Sequence, residues 1–142
     1  MPAKRLMILV IAGMLGLAAC APAATPAPPP PDLPAASTEY RTISVDELAG
    51  ILASEPDAYT VLNVHIPYAG EIEGTDAHVP FNDLEALMAA IPDKDAPVVL
   101  YCRSGNMSEQ ASRALLAQGY TRVLDVPGGM NAWEASGRTL KR

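Results

Sequence analysis

The spacing of apolar positions changes several times after Arg41, and these changes predict alternating strands and helices. Short apolar or β-branched runs predict buried strands, whereas apolar residues three and four positions apart predict one face of a helix. The predicted strands are Tyr40–Ile43, Tyr59–Val64, Pro97–Tyr101 and Arg122–Val126. Strands that alternate with helices in this way predict an α/β fold, with a central, mostly parallel sheet covered by helices on both faces.

Polar start signals and breakers mark where the helices begin and end. The predicted N-cap residues are Ser44, Asn82 and Ser108. The first two are each followed three positions later by a glutamate, which is the capping-box pattern. Pro92 and Gly119 are predicted to end two of these helices. A last short helix, Met130–Ser136, is predicted after a turn formed by Pro127, Gly128 and Gly129.

Residues 1–38 have a different pattern, with no periodicity that could build a core. Lys4 and Arg5 precede the apolar run Leu6–Leu17, which has the length of a secretory signal and is too short for a comfortable transmembrane helix. The run ends in Leu-Ala-Ala-Cys20, which resembles the lipobox of bacterial lipoproteins, where cleavage precedes a lipidated cysteine. We therefore predict a lipoprotein signal peptide at 1–19 and lipidation of Cys20. An ordinary signal peptide with an incidental Cys20 is the alternative.

An alanine- and proline-rich segment, residues 20–38, follows the predicted cleavage site. Its prolines favour an extended, semi-rigid chain, so we interpret the segment as a tether that holds a globular domain, residues 39–142, away from a membrane. Ala21 follows Cys20, and by resemblance to Gram-negative lipoproteins this favours the outer membrane over the inner one. We therefore expect a lipid-anchored domain that faces the periplasm.

The charge balance excludes two classes of partner. The chain has a formal net charge of −6, and loss of Lys4 and Arg5 with the signal peptide makes it still more acidic. Such a chain presents no basic surface for nucleic acid, nor for anionic lipid beyond its own anchor. Two histidines and one remaining cysteine, scattered along the sequence, do not form a metal-site pattern, and no cofactor is implied. The oligomeric state is left open.

Cys102 lies where chemistry is expected in an α/β protein, between the end of a predicted buried strand and the start of a helix. With Cys20 lipidated, it is a single thiol in a compartment where disulfides persist. The loop that follows is small and polar, and its backbone N–H groups together with the helix dipole can stabilise a thiolate. We predict an exposed, reactive thiol; a buried structural cysteine is the alternative.

Two stretches of sequence resemble a rhodanese-like domain, and together they cover essentially all of Arg41–Arg138. YTVLNVHIPYAGEIEGTDAHVPF resembles the first half of that domain, and VLYCRSGNMSEQASRALLAQGY with VLDVPGGMNAWEASG resembles the second half. In that family, the loop cysteine takes a sulfane sulfur from a donor such as thiosulfate or a persulfide. It then passes the sulfur, held as a persulfide, to a thiol or cyanide acceptor. The resemblance implies that Cys102 is the catalytic residue, and that the substrate-binding loop consists of Arg103, Ser104, Gly105, Asn106, Met107 and Ser108.

The chain departs from the family pattern at two places near this site. Asn63-Val64-His65 stands where members often have Asp-Val-Arg, and Met107 stands where they often have a basic residue. Both changes remove charge, so we expect weak use of thiosulfate and a less charged or bulkier donor. Asn63 is expected to hold its loop by hydrogen bonds. His65 either has a role in the site, lining the substrate pocket or acting in proton transfer, or is structural.

Three further residues are placed by their types alone. His78 is expected at the surface, and Tyr68 and Trp133 are expected to be packing residues.

Three functions are weighed for this site. Related phosphatases need an arginine six positions after the cysteine to grip phosphate, and that position is Ser108, so phosphatase activity is not expected. A periplasmic sulfurtransferase is the main hypothesis. A non-enzymatic module that binds an anion or a partner protein through the same loop is the alternative, because a fold does not fix a function.

Overall fold

The structure is a computed structural model that describes residues 37–142. The predicted signal peptide, Cys20 and most of the predicted tether lie outside these residues. The elements are β1 (Arg41–Thr42), α1 (Val45–Ser54), β2 (Thr60–Asn63), β3 (Ala77–His78), α2 (Leu84–Ala90), β4 (Val98–Tyr101), α3 (Asn106–Ala117), β5 (Val123–Asp125) and α4 (Gly129–Ala135). The strands lie in the order β1-β5-β4-β2-β3, and each neighbouring pair is parallel. The predicted α/β fold is confirmed.

The central strand β4 is buried on both faces, as its continuous apolar run predicts. Side chains alternate across a strand, so Val98 and Leu100 contact one core cluster and Val99 and Tyr101 contact the other. The helices contribute Leu87 of α2 and Leu115 of α3 to the first cluster, and Leu48 of α1 and Trp133 of α4 to the second. Each such apolar side chain contributes roughly 1.5–3 kcal/mol when fully buried. The sheet is therefore covered on both faces, and β4 is fixed in the middle of the domain.

The predicted start of α1 is confirmed, and the predicted start of α2 is one residue too early. Ser44 Oγ accepts a hydrogen bond from the Glu47 backbone N–H at 3.1 Å, and Glu47 Oε2 accepts one from the Ser44 N–H at 2.7 Å. The N-cap of α2 is Asp83 and not Asn82. Its Oδ1 accepts from the Ala86 N–H at 3.0 Å, so the carboxylate takes the capping role.

The predicted start of α3 is wrong by three residues, and the difference affects the site. Gly105, with φ of +101°, is the N-cap, so Asn106, Met107 and Ser108 form the first turn of the helix and are not a loop. Glycine adopts this left-handed conformation without a steric penalty, which is why the helix begins directly after it. The predicted stop at Gly119 is confirmed by its φ of +87°.

Strand β3 was not predicted. It has only two residues, and no alternating pattern marks it in the sequence. Tertiary contacts hold it beside β2, because the Val79 N–H donates to Asn63 O and the Asp76 carboxylate accepts from the Val61 N–H at 2.7 Å.

Within residues 37–142, no helix has the length and apolar character needed to cross a bilayer.

Candidate active site

Three parallel strands end side by side around Cys102. The residue before it, Tyr101, ends β4 and is in register with Asn63, the last residue of β2. On the other side, Leu100 is in register with Asp125, the last residue of β5. The loops that leave these three strands therefore meet at one edge of the sheet, where ligands bind in open α/β folds.

The sulfur of Cys102 accepts a hydrogen bond from the backbone. The Gly105 N–H donates to Sγ at 3.0 Å, and α3 begins at the next residue. A backbone N–H at a helix N-terminus is a donor that stabilises negative charge, here on a thiolate or on a persulfide. This N–H is one of the several backbone donors that the sequence predicts for this loop.

The prediction that the thiol is exposed is wrong. Cys102 is 1% exposed and belongs to the core cluster on the side of α2 and α3. The central position of β4 carries the cysteine into the core, and the loop 103–105 folds back over it. The cysteine is therefore shielded from solvent in this structure.

The first turn of α4 holds the cysteine loop, residues 102–105, in place through two hydrogen bonds. The Cys102 carbonyl accepts from the Met130 N–H at 2.9 Å, and the Arg103 carbonyl accepts from the Asn131 N–H at 3.0 Å. Gly129 has φ of +47°, and a Cβ there would lie 2.0 Å from the Cys102 carbonyl oxygen. Only glycine fits such an approach. The sequence predicts a turn at Pro127, Gly128 and Gly129, but it does not predict the contact of Gly129 with the cysteine.

The six residues predicted to bind substrate lie together, but in different environments. Arg103, Ser104 and Asn106 are exposed, whereas Ser108 is buried and its hydroxyl donates to the Gly105 carbonyl at 3.1 Å. Met107 is half-buried and packs against the core cluster of α2 and α3, so it is less available than an exposed loop residue would be.

The loop after β2 is held by Asn63, as predicted. This side chain is fully buried; its Nδ2 donates to the Gly70 carbonyl at 3.0 Å, and its Oδ1 accepts from the His65 N–H at 3.0 Å. An ionised carboxylate accepts hydrogen bonds but cannot donate one. The amide therefore makes both bonds that close the loop, which an aspartate could not do.

His65 lies close enough to Arg103 for the two groups to interact electrostatically. Burial lowers the pKa of His65, and the positive charge of Arg103 and the ring of His78 lower it further. Its Nδ1 is buried and has no hydrogen-bond partner. The structure thus brings His65 to the same edge as the cysteine loop, with a neutral imidazole favoured.

Two of the three placements made from residue type are wrong. His78 is half-buried and not at the surface, because its Nε2 lies 2.6 Å from the His65 carbonyl oxygen. Tyr68 is 51% exposed, and its ring meets the His78 ring edge to face, at 5.2 Å between centroids. Trp133 is 7% exposed and packs in the core as predicted.

Sequence reasoning missed Asp125 and Tyr40. Asp125 is 1% exposed, and its Oδ2 accepts a hydrogen bond from the Tyr40 hydroxyl at 2.5 Å. Burial raises the pKa of Asp125, while the nearby hydroxyl groups of Ser108 and Tyr40 oppose the rise. An acidic residue inside the apolar run RVLDV was the signal that could have identified it.

Two cavities differ in their relation to this edge. The Arg103 cavity, of about 280 Å³, is lined by Arg103, Met130, Asn131 and other residues of α4 and the C-terminal segment. The larger flank cavity, of about 510 Å³, lies between α1 and β1 and is lined in part by Gly50 and Tyr59. In the part of the chain described, 37–142, no cluster of three histidine, cysteine or acidic side chains could hold a metal ion.

Residues 51–136, more than half of the chain, match the model of the rhodanese-like domain. The chain belongs to the rhodanese-like domain family. It is 48% identical over 59 residues to a sulfurtransferase of Allochromatium vinosum, with 42% of this chain and 54% of that protein covered. The chain thus spans about half the length of that relative.

Two further relatives are matched over most of their length. The thiosulfate sulfurtransferase GlpE of Pseudomonas savastanoi pv. phaseolicola is 30% identical over 105 residues, which cover 70% of this chain and 92% of that protein. The crystal structure of a rhodanese-related protein of Thermoplasma volcanium has a TM-score of 0.58 and 28% identity. The match covers 71% of this chain and 97% of that one. These likenesses support a sulfurtransferase or a rhodanese-like module.

Proposed function

We propose that the protein is a sulfurtransferase in which Cys102 carries a sulfane sulfur as a persulfide. The observation that carries the proposal is the Gly105 N–H, which donates to Cys102 Sγ at 3.0 Å at the N-terminus of α3. A donor at this position stabilises the negative charge that the sulfur bears before and after transfer.

The proposed reaction has two displacement steps. The Cys102 thiolate attacks the sulfane sulfur of the donor, and a new S–S bond forms. The bond between that sulfur and the rest of the donor molecule breaks, and its electron pair leaves with the rest of the donor. With thiosulfate, the leaving group is sulfite. A thiol or cyanide acceptor then attacks the outer sulfur of the persulfide, and the Cys102 thiolate is restored. No external oxidant or reductant is needed.

The charges near the site favour a donor other than thiosulfate. Arg103 is exposed beside the cysteine, but Met107 places a half-buried thioether in the first turn of α3. A dianionic donor gains from each additional cation near its oxygens. We therefore propose a persulfide or another less charged molecule as the preferred donor.

A comparison of two cysteine substitutions tests the proposed function. Sulfur transfer to cyanide is measured with thiosulfate and with a low-molecular-weight persulfide as donor. Cys102→Ser should abolish transfer from both donors, because the hydroxyl cannot form the S–S bond. Cys20→Ser changes the only other cysteine and should leave the transfer rate per molecule unchanged. Transfer by Cys102→Ser at the wild-type rate would rule out the proposed carrier.

A non-catalytic module is the second candidate, and the burial of Cys102 favours it. The residue is 1% exposed, so a donor must enter the loop before reaction. A wild-type protein that transfers no sulfur from either donor, yet binds an anion at Cys102 and Arg103, would favour this module.

The lipid anchor is a separate proposal, and it rests on the sequence around Cys20. The lipidated protein is proposed to be held in the outer membrane and to face the periplasm. Cys20→Ser should abolish lipid attachment, so that any processed protein moves from the membrane fraction to the soluble fraction. Separation of the two membranes by density identifies the one that holds the wild type. Lipid attachment that persists in Cys20→Ser, or processed variant that stays in the membrane fraction, would contradict the anchor.

A further inference from the structure

A buried acid lies behind the cysteine loop, on the strand next to the one that leads to Cys102. Asp125 ends β5, is 1% exposed and is in register with Leu100 of β4. The Tyr40 hydroxyl donates to its Oδ2, whereas Oδ1 has no hydrogen-bond partner. A buried polar oxygen without a partner lowers stability, so its retention calls for a physical explanation.

Ser108 lies between this carboxyl group and the cysteine loop. Its hydroxyl donates to the Gly105 carbonyl at 3.1 Å, and it lies close enough to Asp125 to counteract the effect of burial on that carboxyl. Gly105 in turn donates its N–H to Cys102 Sγ at 3.0 Å. Asp125 is therefore a neighbour of Ser108, and two hydrogen bonds connect Ser108 through Gly105 to the sulfur.

The Ser108 hydroxyl has a single proton. It can therefore donate to the Gly105 carbonyl or to the Asp125 carboxylate, but not to both at once. When Asp125 is protonated, its carboxyl can donate to Ser108 Oγ, and the hydroxyl proton stays on the Gly105 carbonyl. When Asp125 is ionised, the carboxylate is the stronger acceptor and draws the hydroxyl proton to itself. The Gly105 carbonyl is then left with the helical bond from the Glu109 N–H.

We propose that Asp125 is a positioning residue. Through Ser108, the protonation state of its carboxyl group sets how firmly Gly105 is held against the Cys102 sulfur, and hence how fast that sulfur reacts. The proposal rests on Cys102 as the reacting group of the proposed function, but it needs no sulfur donor.

The charged groups around Asp125 are few among the described residues. Tyr40 contacts it from the segment before β1, and Glu109 lies on α3 beside Ser108. Arg113 of α3 stacks 4.4 Å over the Tyr40 ring and forms an ion pair with Glu109 at 2.9 Å. Burial is the largest cause of the raised pKa of Asp125, and the negative charge of Glu109 adds to it.

The raised pKa fixes the sign of the pH dependence. Asp125 binds its proton more tightly in the folded state than in the unfolded state. Its contribution to folding stability is therefore fully present below the unfolded pKa of about 3.9, and is lost as the pH rises through the higher folded value. Any effect of Asp125 on Cys102 must appear around that same folded value.

The test is the alkylation rate of Cys102 by uncharged iodoacetamide, followed by peptide mapping from about pH 4 to about pH 9. In the wild type, the rate should show two steps with pH, one from Cys102 itself and one from Asp125. The Asp125 step should change the rate about fivefold, which corresponds to one hydrogen bond. Asp125→Asn and Ser108→Ala should each leave only the Cys102 step.

Asp57→Asn is the matched control. It makes the same chemical change at an exposed aspartate before β2, at the opposite end of the sheet, and should retain both steps. A single step in the wild type, or two steps in Asp125→Asn, would overturn the proposal. If Asp125→Asn does not fold, Ser108→Ala decides in the same way. Alkylation requires no sulfur donor, so a protein that fails to transfer sulfur would still give a decisive result here.

Discussion

The flank cavity and the cysteine loop are the two most contrasting regions of the domain. The flank cavity is the larger space, about 510 Å³, but its lining contains no cysteine or histidine. The cysteine loop encloses a thiol that is 1% exposed, and the Gly105 N–H contacts the sulfur directly. The larger cavity and the thiol with its backbone donor thus lie at different places in the same fold.

The difference indicates which structural property the proposed sulfur transfer depends on. A cavity provides volume, whereas the cysteine loop provides a backbone donor fixed in advance at the point where charge develops. The loop keeps its shape because its carbonyls are bonded to the N-terminus of α4 and because Gly129 allows close contact. Changes at the cysteine loop should therefore have large effects on activity, and matched changes at the flank cavity should not.

The largest effect is expected from Gly129→Ala. The new Cβ would lie 2.0 Å from the Cys102 carbonyl oxygen, at a φ of +47° that alanine avoids. The variant should be destabilised by at least about 3 kcal/mol. Any folded fraction should lose sulfur transfer about a hundredfold, because the loop must shift by about 1 Å. Denaturant unfolding and transfer kinetics measure the two effects.

Gly50→Ala is the matched control at the flank cavity. Gly50 lies inside α1, and a Cβ there would meet nothing within 4 Å. It should stabilise the domain by about 0.5–1 kcal/mol, because alanine favours a helix over glycine, and should leave transfer unchanged. Equal losses of activity in the two variants would show that the cysteine loop has no special dependence on its support.

A smaller effect is expected from Met107→Arg. A cation in the first turn of α3 should attract thiosulfate and raise its kcat/KM about fivefold, equivalent to roughly 1 kcal/mol for one partly exposed contact. The gain should shrink as salt rises, because screening weakens the interaction. Ser54→Arg adds the same charge at the exposed rim of the flank cavity and should change little. If wild type already uses thiosulfate efficiently and Met107→Arg adds nothing at low salt, Met107 does not set donor choice.

Much of the fold can be predicted from the sequence, because the patterns that indicate its strands and helices involve residues close together in the chain. The apolar run of β4 and the capping box at Ser44 depend on neighbours a few residues away, and both are confirmed. The cysteine at the end of a buried strand also follows from the chain order. The family motif around Gly129 was recognised, although the contact that requires glycine was not.

The features that sequence reasoning missed depend on contacts between distant parts of the chain. Cys102 is buried because its side chain packs in the core cluster of α2 and α3, and no local pattern encodes that packing. The bond from Tyr40 to Asp125 joins residues 85 positions apart. His78 is held by the carbonyl of His65, in a strand too short to be predicted.

The most direct test of the central claim is the mass of the protein before and after sulfur transfer. Incubation with a persulfide donor or with thiosulfate should add one sulfur atom, and peptide mapping should place it on Cys102. Addition of cyanide should then remove it and regenerate the original mass. Absence of added sulfur on the Cys102 peptide with every donor that supports turnover would contradict the account.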